Sequence, residues 1–184
     1  MAQDYFSALR DVVLVISSSL EPRDVLHKIT EQTARTMGCK ASTIRLLDRS
    51  GHFLLPSAAY GLSDAYMRKG AVEVKKSGMD GEVLAGKIMH LKDAAADGRF
   101  QYPESAKAEG LVSVLSAPLM VDGRAIGLIR VYSAEEREFS EAEHAFMDAV
   151  AAISAVAIEN ARLHAQLRSN YELMTRHAYQ IYED

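Results

Sequence analysis

Cysteine is almost missing. The one thiol, Cys39, excludes an internal disulfide and any multi-cysteine zinc site, and it fits a reducing cytoplasm. Long apolar runs are missing too. The N-terminal "VVLVI" follows Arg10-Asp11 directly, is shorter than a signal core, and has no small-residue cleavage site after it, so no membrane span or leader is expected. Cations are not in excess, since 21 Lys and Arg face 25 Asp and Glu for a formal net charge of -4. The Lys75-Lys76 pair is too short for a basic stripe, and nucleic acid is not an expected partner. The six histidines are scattered, with no pair at i, i+4, so no metal site is expected. What remains is an apolar fraction of 48% over 184 residues, enough for one sizeable core and short of two.

Along the chain, Phe6, Leu9, Val13, Ile16 and Leu20 repeat at three- and four-residue spacing and predict an amphipathic helix within residues 1–20. Pro22 suits the first turn of a second helix that carries Val25, Leu26, Ile29, Thr33 and Met37 on one side and stops at Gly38. Strands are read in "ASTIRLLD", in "HFLLPSAAYG" and in "AVEVKK". Residues 63–110 are irregular, with short helices, and loops of this kind on a rigid scaffold are where a binding site is expected. "SVLSAPLMVDGRAIGLIRVYS" is two β-rich runs about Asp122-Gly123, a hairpin signal, and it carries Arg130 within an otherwise apolar strand.

Glycine and proline are absent from Ser140 to Asp184. That predicts one helix of about 65 Å, opened by Ser140 as N-cap with Glu143 completing a capping box. Phe146, Val150, Ile153, Ala157, Asn160, His164, Leu167, Tyr171, Met174, Ala178 and Ile181 alternate spacings of four and three, a heptad seam that predicts a coiled coil over residues 164–184. The alternative is a core helix with a solvated tail. On the first reading the chain is a homodimer through Phe6, Leu9, Val13, Ile153, Asn160, His164, Leu167, Tyr171 and Met174.

Four segments in order, "TARTMGCKASTIRLLDRSG", "MDGEVLAGKIMHLKDAAADGRF", "LVSVLSAPLMVDGRAIGLIRVYS" and "FSEAEHAFMDAVAAISAVAIENARL", resemble a GAF domain, the small-molecule-sensing module of signalling proteins. The resemblance runs from about residue 8 to 167, with residues 21–163 as the domain proper. It implies an α/β fold: a central antiparallel sheet of about six strands, terminal helices packed on one face, and a ligand cavity over the other. Members that reduce free methionine sulfoxide use several cysteines, and photoreceptor members attach a bilin through a cysteine deeper in the domain; a lone Cys39 suits neither. Where cyclic-nucleotide-binding members carry Asn-Lys, Phe and Asp-Glu, this chain has Ser133-Ala134, Phe139 and Glu143-His144, which does not support that ligand.

"GEVLAGK", residues 81–87, imitates a phosphate-binding loop, but Ile88 stands where a hydroxyl should hold Mg²⁺ and no apolar strand leads in, so a short helix ending at Gly86 is expected. A period of two places Thr43, Arg45 and Leu47 on one face of the first strand, and Ile126, Leu128, Arg130 and Tyr132 on one face of the last. In this fold those strands are neighbours, so two guanidinium groups converge beneath the irregular loops. Their forked donors suit a small anion, carboxylate or phosphate; the alternative is that each pairs with a glutamate or reaches water. The expected ligand site comprises Thr43, Arg45, Tyr60, Tyr66, Met79, Val83, His90, Ser116 and Arg130. No cofactor, catalytic residue or metal is assigned. The expected function is a cytoplasmic sensor that couples ligand occupancy to a dimeric C-terminal helix and passes the signal to a partner protein. The alternative is a ligand-free structural dimerisation module.

Overall fold

The computed structural model describes residues 4–18 and 22–180. Helix α1, Tyr5–Ser18, turns Ala8 and Val12 inward at a helical period. Helix α2, Pro22–Thr36, opens on a proline whose missing N–H costs nothing in the first turn. It ends at Gly38, whose φ of +59° lets Cys39 N–H donate back to the Ala34 carbonyl at 2.9 Å. Leu20 and residues 181–184 lie outside the described residues, as does the side chain of Ala178.

Six strands form one sheet: β1 (Ala41–Leu47), β2 (Phe53–Tyr60), β3 (Val72–Glu73), β4 (Met89–Leu91), β5 (Val114–Val121) and β6 (Arg124–Tyr132). Their order is β3-β2-β1-β6-β5-β4, and every pairing is antiparallel. Asp122 and Gly123, both at positive φ (48° and 74°), close the β5–β6 hairpin with Val121 opposite Arg124. "AVEVKK" gives a strand of only two residues, because the chain turns at Val74–Lys76 and leaves the sheet.

One face of the sheet carries Ile44, Leu115, Ala117, Leu119, Ile129 and Val131, covered by α1, α2 and the first half of α6 (Glu141–Gln180). Each fully buried aliphatic side chain there contributes about 1.5–3 kcal/mol. The opposite face carries Ala41, Arg45, Val114, Leu128, Arg130 and Tyr132. It lies beneath α3 (Asp64–Met67), α4 (Gly78–Leu84), α5 (Pro103–Glu109) and their loops. "GEVLAGK" is the body of α4 and its exit, with Gly86 at φ +94°.

Two bulges break the alternation. Between β1 and β2, Ile44 faces Ala58 and Arg45 faces Pro56, so Ser57 is the extra residue. Between β5 and β6, Leu119 faces Gly127 and Met120 faces Ala125, so Ile126 is extra and packs on the helix side, not beside Leu128 as its spacing predicts. Gly127 is obligatory at this second bulge, since a Cβ there would sit 2.2 Å from the Arg45 carbonyl oxygen.

In α6, Ser140 and Glu143 form the reciprocal box, Ser140 N–H donating to Glu143 Oε2 at 2.8 Å and Glu143 N–H to Ser140 Oγ at 3.3 Å. Phe146 and Val150 are buried in this chain's own core, with Met147, Ala151 and Ala155. From Arg162 to Met174 every described side chain is exposed, Leu167 at 65% and Met174 at 72%. Among the described residues no helix is long and apolar enough to cross a membrane.

Candidate functional site

Arg45 and Arg130 project from neighbouring strands onto the face away from the long helices. Thr43 faces Arg130 directly in the β1–β6 register, and Arg45 lies one step along, opposite Leu128. Both guanidinium groups are buried, at 1% and 2% exposure, and they line one cavity with Tyr66, Lys69, Asp80, Phe100, Tyr102 and Tyr132. The cavity is about 10 Å³, room for a single water.

The two arginines are held differently. Arg130 Nε donates to Ser116 Oγ, and its Nη2 donates to Asp80 Oδ1, whose carboxylate is as buried as the guanidinium. Asp80 is fixed in turn by Ser77, the N-cap of α4, whose hydroxyl donates to Oδ2 at 2.6 Å. Phe100 and Tyr132 stack near the same guanidinium, with ring centroids at 5.5 and 6.0 Å. Burial works against the Arg130 charge, but Asp80 and the phenols of Tyr132 and Tyr66 override it and hold its pKa above the ordinary value.

Among the described residues Arg45 has no carboxylate partner. Its Nη1 donates to the Leu54 carbonyl at 3.3 Å, while Nη2 has no hydrogen-bond partner among the described residues. A buried, unsatisfied guanidinium nitrogen is costly, and it sits at the wall of a cavity. The Thr43 hydroxyl on the same face is likewise unpartnered.

Lys69, half-buried, also lines the cavity. Its Nζ lies 3.2 Å from the Tyr66 ring centroid and donates to the Tyr66 carbonyl at 3.3 Å. Burial, reinforced by the Arg45 and Arg130 charges, pushes its ammonium down to about 7. Tyr66 meets Tyr132 edge to face at 6.1 Å, and burial with that neighbour raises the Tyr66 phenol.

Of the residues expected at the site, Arg45, Arg130 and Tyr66 share the cavity, and Ser116 and Met79 lie against Arg130, the Met79 sulfur 3.9 Å from Nη2. Val83 packs one cluster away with Leu54, Val72 and Leu128. Tyr60 and His90 are on the other side of the sheet. The bulge at Ser57 reverses the facing of Tyr60, which lies under the Arg35 guanidinium of α2 at 5.6 Å. His90 alternates with the cavity-facing Met89 and Leu91, so its ring meets Phe139 edge to face at 5.3 Å and Nε2 lies 3.1 Å from the Arg137 carbonyl. The spacing missed Asp80 and Lys69. Asp80 had a signal, the Ser77-x-x-Asp80 cap of α4, whereas Lys69 reaches the site only through the course of a loop.

Cys39 lies at the junction of α2 and β1, and burial pushes its thiol up to about 11, the reverse of an activated nucleophile. Among the described residues no group of three His, Cys, Asp or Glu is placed to hold a metal ion.

Comparison with known proteins bears on the fold and its use. A GAF domain from an Acinetobacter phosphoenolpyruvate-protein phosphotransferase is 25% identical, with a TM-score of 0.75 over 90% of this chain and 99% of that one. A domain of a putative two-component sensor histidine kinase protein from Sinorhizobium meliloti is 22% identical, with a TM-score of 0.66 over 79% and 95%. Free methionine-R-sulfoxide reductase from Neisseria meningitidis, solved in complex with its substrate, is 19% identical, with a TM-score of 0.72 over 87% and 91%. No curated protein matches. The GAF domain family model matches residues 21–158, three quarters of the chain, and with the antiparallel six-stranded sheet it establishes that the chain belongs to the GAF domain family.

Proposed function

We propose that this chain is a regulatory, non-catalytic sensor that takes a small anion at Arg45, beside the Asp80-paired Arg130, and passes its occupancy to a dimeric α6. The observation that carries this reading is the Arg45 guanidinium, 1% exposed, with one nitrogen unsatisfied at a cavity wall. An anion there would convert the least favourable buried charge of the cavity face into a paired one. Entry requires the Tyr66 and Lys69 side chains to move, and α3, which carries Tyr66, is a single turn. The same fold holds a substrate in the Neisseria reductase.

Output would pass through α6, whose first half is packed on the sheet and whose second half projects an exposed line of Leu163, Leu167, Tyr171 and Met174. A second copy is the proposed cover for that line, together with Phe6 and Val13 of α1. A downstream signalling protein in the cytoplasm is the proposed recipient. The burial that pushes the Cys39 thiol up, away from the thiolate, supports a sensor over a redox enzyme.

A second reading, a dimerisation module with no ligand, is favoured by the small volume that Tyr66, Phe100, Tyr102 and Tyr132 leave in the cavity. Native mass spectrometry of the purified protein, followed by anion titration of wild type and Arg45→Met, separates the two. Sensing predicts a dimer that binds a small anion through Arg45. A dimer blind to every anion at millimolar concentration would establish the second reading.

A further inference from the structure

The cavity has a second cation without an acidic partner among the described residues. Arg130 is neutralised by Asp80, and the other nearby carboxylate, Glu109, is taken by Ser63, whose backbone N–H donates to it at 2.7 Å and whose hydroxyl donates to the second oxygen. Lys69 pairs with neither, and its Nζ rests on an aromatic face and one carbonyl. Arg45 and Lys69 are therefore two uncompensated cationic groups on the wall of one small cavity.

Resting on the reading of this cavity as an anion site, we propose that Arg45 and Lys69 together clamp a compact dianion, of the sulfate, phosphate-monoester or short-dicarboxylate class. The unsatisfied Nη2 of Arg45 donates to the anion, and the amine leaves the Tyr66 ring to meet the other charge. The backbone around Lys69 is pinned on both sides, by Glu109 on Ser63 and by the Tyr102 hydroxyl, which donates to the Ala71 carbonyl at 2.8 Å. The moving parts are the side chains of Lys69 and of Tyr66, on whose ring the amine rests.

This clamp binds a proton with its ligand. Facing Lys69 are Arg45 of β1, Arg130 of β6, Asp80 of α4, Glu109 of α5, Tyr66 of α3 and Tyr102 ahead of α5. Burial and the two arginines outweigh the two carboxylates and leave the amine half-charged near pH 7. A dianion at the site favours the ammonium, so above that pH each binding event takes up a proton.

Calorimetric titration with sodium sulfate and sodium nitrate, at about pH 6 and about pH 8.5 and constant ionic strength, tests this on the intact chain. Sulfate is a dianion throughout the range and nitrate a monoanion, so neither titrates. With Lys69 at about 7, sulfate affinity falls about thirtyfold from the lower to the higher pH, while nitrate binding through Arg45 changes little. Lys69→Met loses both the preference for sulfate and its pH slope, and Lys69→Arg restores sulfate binding without the slope. Sulfate affinity that is flat with pH, or unchanged in Lys69→Met, overturns the clamp and leaves the anion site standing. Failure of both anions at both pH values overturns the anion site itself.

Discussion

Asp80 of α4 and Arg130 of β6 form an ion pair in which neither side chain is more than 2% exposed. It ties the helix over the cavity to the central strand beneath it. Removing the carboxylate leaves a buried cation unpaired, so Asp80→Asn is expected to cost about 3–5 kcal/mol, read as a lower urea midpoint. Asp80→Met with Arg130→Met together should recover most of that loss, because an apolar pair needs no compensation. Equal destabilisation in the double and single variants would contradict this account.

Arg45 behaves oppositely. Its charge has no carboxylate to strand, so Arg45→Met should hold or raise stability by about 1 kcal/mol, a Tm change of about 2–4 °C at this size. The same variant should lose anion binding in the titration described above. A Tm drop of more than 5 °C would show that the Leu54 contact outweighs the unsatisfied nitrogen.

Lys69 sets a pH dependence whose sign is fixed. Its folded value, about 7, lies below the unfolded 10.5, so between those values the unfolded chain holds a proton that the folded chain lacks. Stability from this group therefore rises as pH goes from 7 to 9, and below 7 the full penalty remains. Cys39 works the other way at high pH, but it is common to both proteins when wild type is compared with Lys69→Met. The Tm of wild type should gain on that of Lys69→Met between pH 7 and 9, measured by circular dichroism in anion-poor buffer. Parallel curves would place the amine in ordinary solvent.

The second half of α6 carries the oligomer prediction. With Leu167 65% and Met174 72% exposed, Leu167→Glu with Met174→Glu should convert a dimer to a monomer without changing the domain's Tm by more than about 2 °C, since neither touches the core. Sedimentation velocity at micromolar concentration reads the outcome, and a monomeric wild type would end the proposed coupling.

The legibility of this molecule in its sequence follows from periodicity. The hairpin at Asp122-Gly123, the capping box at Ser140 and the facing of Arg45 and Arg130 were readable because spacings of two and 3.6 decide them. Tyr60 and Ile126 were misplaced because a single bulge residue, Ser57 or Ile126 itself, reverses parity, and a bulge leaves only a weak mark in composition. Phe146 and Val150 fitted a heptad equally well as an intermolecular seam or as this chain's own core; only the sheet beneath them decides it. Asp80 and Lys69 come from the irregular middle, where no period exists and proximity is set by the path of the loops.

The two-residue length of β3 has a further consequence. It pairs only with Phe53 and Leu54, which leaves the outer side of β2 from Leu55 to Tyr60 without a neighbouring strand among the described residues. Such an edge invites a second chain to extend the sheet, and Leu55, 46% exposed, would add to the invitation. Pro56 has no N–H to offer, and the extra residue at Ser57 twists the ladder out of register with an incoming strand. These two adjacent residues make the edge a poor template for a further strand, through a kink and a missing donor.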